Sequence, residues 1–333
     1  MIEPKANITD RFGRVHDYLR ISLTERCNLR CFYCMPEEGV QLREKSEFMT
    51  AEELISIAKT FVGMGVKKIR LTGGEPLIKK NAELIIRELG KLSVELAITT
   101  NAVIVDRFID VFKEAGIKSV NVSLDSLKED CFNDISRRNY FKQIKENIDL
   151  LIANNFNVKI NAVVIRGVNE TEITDFVEWS RKENVHVRFI EFMPFDGNNW
   201  NTEKKVSFKE IMEDVENTFG KDGFYKIEDQ PNDTARNFRM IGGKGTFGII
   251  SSVTNPFCDT CNRIRLTADG KIKNCLFSED ESDLLSAYRR GESIEDKIRR
   301  SFALKHKERG GLSEFSNEEV RKHKNRSMTS IGG

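Results

Sequence analysis

At 333 residues, with 39% hydrophobic and 32% charged side chains, the chain is long enough to bury a large core and to form one big domain plus an extension. Its formal net charge of +1 gives no global field that would draw in nucleic acid or an anionic membrane, so any anionic ligand must be held by locally clustered Arg and Lys. No run of about 18 apolar residues is present to span a bilayer, and residues 1–14 are polar where a secretory leader would be apolar, so the cytosol is the expected compartment.

Arg14 to Leu23 (RVHDYLRISL) reads as a strand, and it ends where Cys27, Cys31 and Cys34 begin. Three thiolates spaced C-x3-C-x2-C suit an iron-sulfur cluster that needs four ligands and leaves one iron open; three core thiols or half a zinc site is the bland alternative. The spacing, with Tyr33 before the last cysteine, resembles the radical S-adenosylmethionine (SAM) enzymes, in which SAM takes the open position through its amino and carboxylate groups.

Thr50-Ala51-Glu52-Glu53 is a capping box, and Leu54, Ile57, Ala58, Phe61 and Val62 follow at helical spacing. Strands and helices then alternate: strand Lys67 to Thr72, turn Gly73-Gly74-Glu75-Pro76, helix Asn81 to Leu92, strand Val94 to Thr100, helix Val105 to Ala115, strand Ser119 to Leu124. Helix Phe141 to Ala153, strand Val158 to Ile165, helix Thr171 to Lys182 and strand Val185 to Phe192 complete the series. Six strands with intervening helices demand a parallel sheet with right-handed crossovers. The expected fold is α/β, a partial (βα)6 TIM-like barrel with ligands at the strand C-termini. A doubly wound sheet is the alternative, but its first turn should hold G-x-G-x-x-G and holds cysteines instead.

Composition shifts near Pro194, which places a boundary between residues 1–195 and a smaller α+β extension over 196–333. A helix over Ser207 to Phe219 is expected, then strand-like pieces at Phe238 to Ile241, Phe247 to Val253 and Ile264 to Thr267 forming a small appended layer. Helices Ser282 to Arg290 and Ile294 to Phe302 precede a basic tail. Cys258, Cys261 and Cys275 form a second trio with no nearby histidine, readable as a second cluster with an open iron or as a zinc ribbon. Arg263 and Arg265 lie between its members, on one face of an extended segment, where two guanidiniums can fork onto carboxylate or phosphate. Arg20, Lys68, Arg70, Lys159 and Arg188 are charges at strand positions, and some must meet an anion. Cys131 reads as a small core residue. Gly242-Gly243-Lys244-Gly245-Thr246 fails the Walker A pattern and reads as a hairpin turn. The tail, with Lys305-His306-Lys307 and Arg321-Lys322-His323-Lys324, lacks aromatics for nucleic acid and reads as a solvated, mobile end.

Along nearly its whole length the sequence resembles the GTP 3',8-cyclases, the radical SAM family that opens molybdenum cofactor biosynthesis. The matching segments are RISLTERCNLRCFYCMP, IRLTGGEP, TTN, NVSLDSL, VKINAVVIRGVN, RFIEFMPF, FCDTCNRIRLTADGKIKNCLF and the terminal SIGG. The resemblance implies that Cys27, Cys31 and Cys34 hold the 4Fe-4S cluster that binds SAM, and that Cys258, Cys261 and Cys275 hold an auxiliary 4Fe-4S cluster. It puts Tyr33, Gly74, Ser123 and Met193 at SAM. At GTP it puts Arg20, Arg70, Thr99, Lys159, Arg263, Ile264 and Arg265, with Lys68 and Arg188 as further candidates. It gives catalytic roles to Arg263, Arg265 and the terminal Gly332 and Gly333. The implied chemistry is reductive cleavage of SAM to methionine and a 5'-deoxyadenosyl radical, hydrogen removal from C3' of GTP, and ring closure onto C8. Implied partners are a flavodoxin or ferredoxin as electron donor, the next enzyme of the pathway (cyclic pyranopterin monophosphate synthase), and a second copy in a homodimer, with no nucleic acid and no membrane. A radical SAM enzyme acting on a peptide or other small molecule is the competing reading, and an RNA-binding zinc or iron protein a more distant one. One departure stands out: Ala102 follows Thr99-Thr100-Asn101 where the family pattern has Gly, so the turn is expected to shift slightly.

Overall fold

Period-two alternation sets the sheet. In β1 (Tyr18–Ser22) Leu19 and Ile21 are fully buried, while Tyr18 and Arg20 face the other way. The same rule runs through β2 (Lys68–Thr72), β3 (Glu95–Thr100), β4 (Ser119–Ser123), β5 (Asn157–Val164) and β6 (His186–Glu191). The computed structural model describes residues 7–35, 39 and 43–332. Six helices cover the apolar face: α1 (Ala51–Gly63), α2 (Ala82–Gly90), α3 (Ile109–Glu114), α4 (Glu129–Ser136), α5 (Phe141–Ala153) and α6 (Ile173–Lys182). The capping box of α1 forms as read: Thr50 Oγ1 accepts from Glu53 N at 3.2 Å and Glu53 Oε2 from Thr50 N at 2.8 Å. α4 went unread because its apolar face is short, resting on Phe132 and Ile135.

After α7 (Phe208–Phe219) come β7 (Phe224–Lys226), β8 (Arg236–Met240), β9 (Thr246–Ile250), β10 (Arg263–Leu266), β11 (Lys271–Lys273) and β12 (Ser282–Asp283). The described residues form one twelve-stranded sheet, in the order β12-β11-β10-β1-β2-β3-β4-β5-β6-β9-β8-β7. β10 pairs with β1 and β9 with β6, both in parallel, so strands from the later segment close both edges of the six-strand run. The expected appended layer is therefore not a separate layer. An open partial barrel leaves two unpaired edges, and these strands satisfy them. The glycine-rich run at 242–246 joins antiparallel β8 and β9 as a hairpin turn.

The expected helix from Ser282 breaks into β12 and α8 (Leu285–Arg289): Ser282 and Asp283 pair with β11, and Asp283 Oδ1 accepts from Ser286 N in the first turn of the helix. α9 (Ile294–Ala303) follows. The basic tail is not a solvated end. It forms α10 (Asn317–Lys322) and α11 (Met328–Ile331), and Ile331 joins Phe195, Val253, Phe277 and Phe315 in a second small core at the barrel mouth.

Candidate active site

The first cysteine loop is fixed by the Gly-Gly-Glu-Pro turn. Gly74 N donates to Thr24 O at 2.7 Å and Glu75 N to Arg26 O at 2.8 Å, and a Cβ at Gly74 would overlap Arg26 O. Only glycine allows this backbone contact. The buried Glu75 carboxylate reaches the next strand end, accepting from Thr100 Oγ1 at 2.8 Å and Asn101 N at 2.7 Å. Asn101 Nδ2 in turn approaches Cys27 Sγ at 3.6 Å, and Leu29 N donates to the same sulfur at 3.4 Å. Ala102 takes the left-handed conformation itself, with φ 62°. Its carbonyl is tied by Asn147 Nδ2 at 2.7 Å.

Burial pushes the Cys27 thiol up to about 11, with Glu75 beside it adding to the effect. Cys34 is pushed up to about 12 by burial and by Cys27, and Cys31 rises well above its ordinary value through burial and Asp125. A cationic core bound by the trio would release these protons. Tyr33 Oη donates to Asp125 Oδ2 at 2.6 Å beside this trio.

Sheet register then stacks the basic residues. Arg265, Arg20 and Arg70 are side by side across β10, β1 and β2, as are Arg188 and Asn161 across β6 and β5, and Lys159 and Asn121 across β5 and β4. All face the lumen. Burial and mutual repulsion pull Arg188 and Arg265 down to about 9 and Lys159 to about 8. Arg20 Nε, Arg188 Nε, Thr99 Oγ1 and Asn121 Oδ1 are buried without partners. Buried polar atoms of this kind normally find one, and an anionic, hydrogen-bonding ligand supplies it.

The second trio sits across the same space. Arg263 Nη1 lies 4.0 Å from Cys261 Sγ, and Lys305 Nζ lies 3.9 Å from it. Burial raises the Cys261 thiol, but Lys305 and Arg263 outweigh it and the net shift is downward. Burial pushes Cys258 up. One chamber of about 310 Å³ is lined by all six of these cysteines together with Arg20, Thr99, Arg188, Arg263 and Arg265. Among the described residues no three His, Cys, Asp or Glu converge as ligands of a single ion. Mononuclear zinc draws its sulfurs to about 2.3 Å from one centre, whereas a cubane assigns each thiolate its own iron.

Tyr33, Gly74, Ser123 and Met193 line this chamber. Arg70 lies beneath it, donating to Tyr18 Oη at 2.6 Å and Ile98 O at 2.9 Å. Lys159 sits nearer the strand starts, as does Lys68, which pairs with Glu95 at 2.7 Å. Ile264 does not face the chamber: alternation turns it opposite to Arg263 and Arg265, and it is fully buried in the main core. Gly332 O accepts from Arg265 Nη1 at 2.5 Å, and a Cβ on Gly332 would overlap Thr72 Oγ1. Gly333 lies outside the described residues. Cys131, half-buried, takes no part in the chamber. Sequence reasoning missed Asn121, Asn161, Lys273 and Asn274 on the chamber wall, where Asp125 also lies. The polar residues at alternate positions of NVSLD and KINAV were the available signal.

The chain matches the model of the radical SAM superfamily over residues 21–180 and that described as Molybdenum Cofactor Synthesis C over 185–310. It is 41% identical to a GTP 3',8-cyclase of Thermodesulfovibrio yellowstonii, covering 97% of this chain and 99% of that one. It is 43% identical to a mitochondrial GTP 3',8-cyclase of Arabidopsis thaliana (98% and 83% covered) and to molybdenum cofactor biosynthesis protein 1 of Dictyostelium discoideum (99% and 53%). The chain thus spans about half the length of the Dictyostelium relative. Among solved structures, Streptococcus suis SuiB bound to its precursor peptide SuiA has a TM-score of 0.61 at 15% identity, covering 83% of this chain and 65% of that one, a likeness of fold.

Proposed function

The chain belongs to the GTP 3',8-cyclase family of radical SAM proteins, and from that premise we propose that it converts GTP to (8S)-3',8-cyclo-7,8-dihydroguanosine 5'-triphosphate, with SAM consumed as methionine and 5'-deoxyadenosine. What supports the reading is one chamber walled at one end by Cys27, Cys31 and Cys34, at the other by Cys258, Cys261 and Cys275, and between them by arginines lacking anionic partners.

Cys27, Cys31 and Cys34 hold the cluster that binds SAM, while Tyr33, Gly74, Ser123 and Met193 surround the SAM molecule. When bound, the reduced cluster and SAM supply a carbon radical able to take the C3' hydrogen. Arg20, Arg188, Arg263 and Arg265 bind the triphosphate, with Arg70 and Lys159 reinforcing them from below; several negative charges are desolvated only against several cations. Thr99 and Asn121 offer unpaired oxygens to the substrate's donors. Gly332 O holds Arg265 in place, which makes the tail a positioning element. Cys258, Cys261 and Cys275 would hold the auxiliary 4Fe-4S cluster, at which guanine would be oriented so that one hydrogen meets the radical. The tail and the buried side chains around the chamber exclude water.

On this reading residues 1–195 carry the SAM chemistry and residues 196–333 the auxiliary cluster and much of the triphosphate site. A flavodoxin or ferredoxin supplies the electron, cyclic pyranopterin monophosphate synthase takes the product, and two copies form the working unit. No helix among the described residues is long and apolar enough to cross a membrane, and we place the chain in a reducing compartment, the cytosol. The test is anaerobic incubation of reconstituted protein with SAM, GTP and dithionite. Formation of 5'-deoxyadenosine together with a GTP-derived product is expected; 5'-deoxyadenosine with GTP untouched would overturn the substrate.

A further inference from the structure

Lys305 and its neighbour Leu304 are inverted relative to ordinary burial. Leu304 is 70% exposed and Lys305 is 2% exposed. Burial ordinarily favours the leucine over the lysine, so the arrangement needs a compensating partner for the ammonium. The turn closing α9, with Lys305 N donating to Phe302 O at 3.1 Å, directs the side chain inward. There its Nζ donates to Asn274 O and stands 3.9 Å from Cys261 Sγ, with the Phe302 ring centroid at 5.8 Å. Among the described residues its polar contacts are a carbonyl and a sulfur, with no carboxylate. A desolvated ammonium so placed is unfavourable unless the sulfur side bears negative charge.

The segment is also pinned. Arg14 Nη1 donates to both Cys258 O and Lys307 O at 2.7 Å, clamping the residues after Lys305 against the second cysteine loop. Arg14 is itself held by Asp10 Oδ2, 2.6 Å from its Nε. Arg263 also approaches Cys261, but its charge is shared with the substrate site. Lys305 is outside the chamber lining, and its Nζ is shared between Cys261 Sγ and Asn274 O, with the His16 ring also in its field.

We propose that Lys305 is a positioning residue of the auxiliary cluster: its fixed charge beside Cys261 Sγ holds the thiolate on iron and raises the reduction potential of that cluster. The inference rests on the reading of Cys258, Cys261 and Cys275 as its ligands. Charge and hydrogen bonds at the sulfurs are among the levers that set such potentials. The SAM-side trio has more acidic surroundings, with Glu75 acting on Cys27 and Asp125 on Cys31, offset at Cys27 by Arg30. Two clusters facing one chamber thereby acquire different potentials from one fold.

The test is an EPR-monitored redox titration of reconstituted full-length protein, with the SAM-side signal identified by its response to SAM, on wild type, Lys305→Met and Lys305→Arg. With full iron content, Lys305→Met is expected to disfavour reduction of the auxiliary cluster at least tenfold, 59 mV for a one-electron couple, and Lys305→Arg to restore most of it. Loss of half the iron in Lys305→Met but not in Lys305→Arg supports the same role. An unchanged potential at full iron content overturns it, as does equal loss of iron in both variants, which would mean packing alone. Wild-type protein that binds iron for one cluster only would overturn the auxiliary-cluster reading itself, and this inference with it.

Discussion

Tyr18 sits where three cations meet: its hydroxyl accepts from Arg70 Nε at 2.6 Å and Arg20 Nη1 at 3.5 Å, and Lys68 Nζ lies 5.4 Å from its ring centroid. Burial alone would raise the phenol, but Arg70, Arg20 and Lys68 together lower it from 10.0 to about 7. Since the folded value is the lower one, the stability it contributes is complete above pH 10 and is lost as pH falls to about 7. A triphosphate drawn to Arg20 and Arg70 opposes the phenolate, so binding takes up a proton and GTP affinity falls as pH rises through 7, by at most about tenfold per unit. Calorimetric titration of GTP at pH 6 to 9 checks this, and Tyr18→Phe should remove that component. Ala102 makes a second case. Left-handed backbone costs a non-glycine residue about 1–2 kcal/mol, while glycine would forfeit a buried methyl of about 0.8 kcal/mol and about 0.4–1 kcal/mol of unfolded-state entropy. These cancel, so Ala102→Gly should move the thermal midpoint little. Ala102→Val, branched at positive φ in a filled site, should lower it sharply.

The strands separate stability from binding by parity. Ile160 on β5 is fully buried under the helices, so Ile160→Ala should cost about 2–5 kcal/mol with substrate affinity kept in the folded fraction. Asn121 on β4 faces the lumen with Oδ1 unpaired, so Asn121→Ala should weaken ligand binding about tenfold at an unchanged melting midpoint. Denaturation and equilibrium binding on the two variants decide it. The tail is held by a mixed ion cluster: Arg326 donates to both oxygens of Asp269 at 3.0 and 2.9 Å and to Glu281 at 2.6 Å, and Arg43 joins Glu25 to Asp269. Arg326→Ala should speed hydrogen exchange across α10 and α11, by about 1.5–3 kcal/mol of local opening energy, and with them loosen Gly332 from Arg265. The strand and helix series through residue 192 was legible because each element there repeats its apolar residues at one clear period. The tail was not, since its burial depends on partners far away in sequence. Lys305 meets Cys261 and Asn274 at separations of 44 and 31 residues. Ile264 was misplaced by carrying a role along a motif where alternation assigns that position to the core.

At the scale of the whole molecule, the sheet brings the two cysteine trios into one space. β10, which bears Arg263 and Arg265 and runs between Cys261 and Cys275, pairs in parallel with β1, whose end leads into the first trio, so the second trio is registered against the start of β1 and the first trio follows its end. Parallel pairing sends both strand ends to the same rim, and the tail closes over it through Phe195, Phe277, Phe315 and Ile331. The chamber therefore exists only when the beginning, middle and end of the chain are folded together. The proposed function makes one demand on this chamber: a hydrogen on the ribose of GTP must lie against the SAM side while the guanine points to the other. The most direct measurement is mass analysis of 5'-deoxyadenosine formed from GTP carrying deuterium at C3'. Deuterium in the 5'-deoxyadenosine is predicted; unlabelled 5'-deoxyadenosine, with the label still on the nucleotide, would contradict the account.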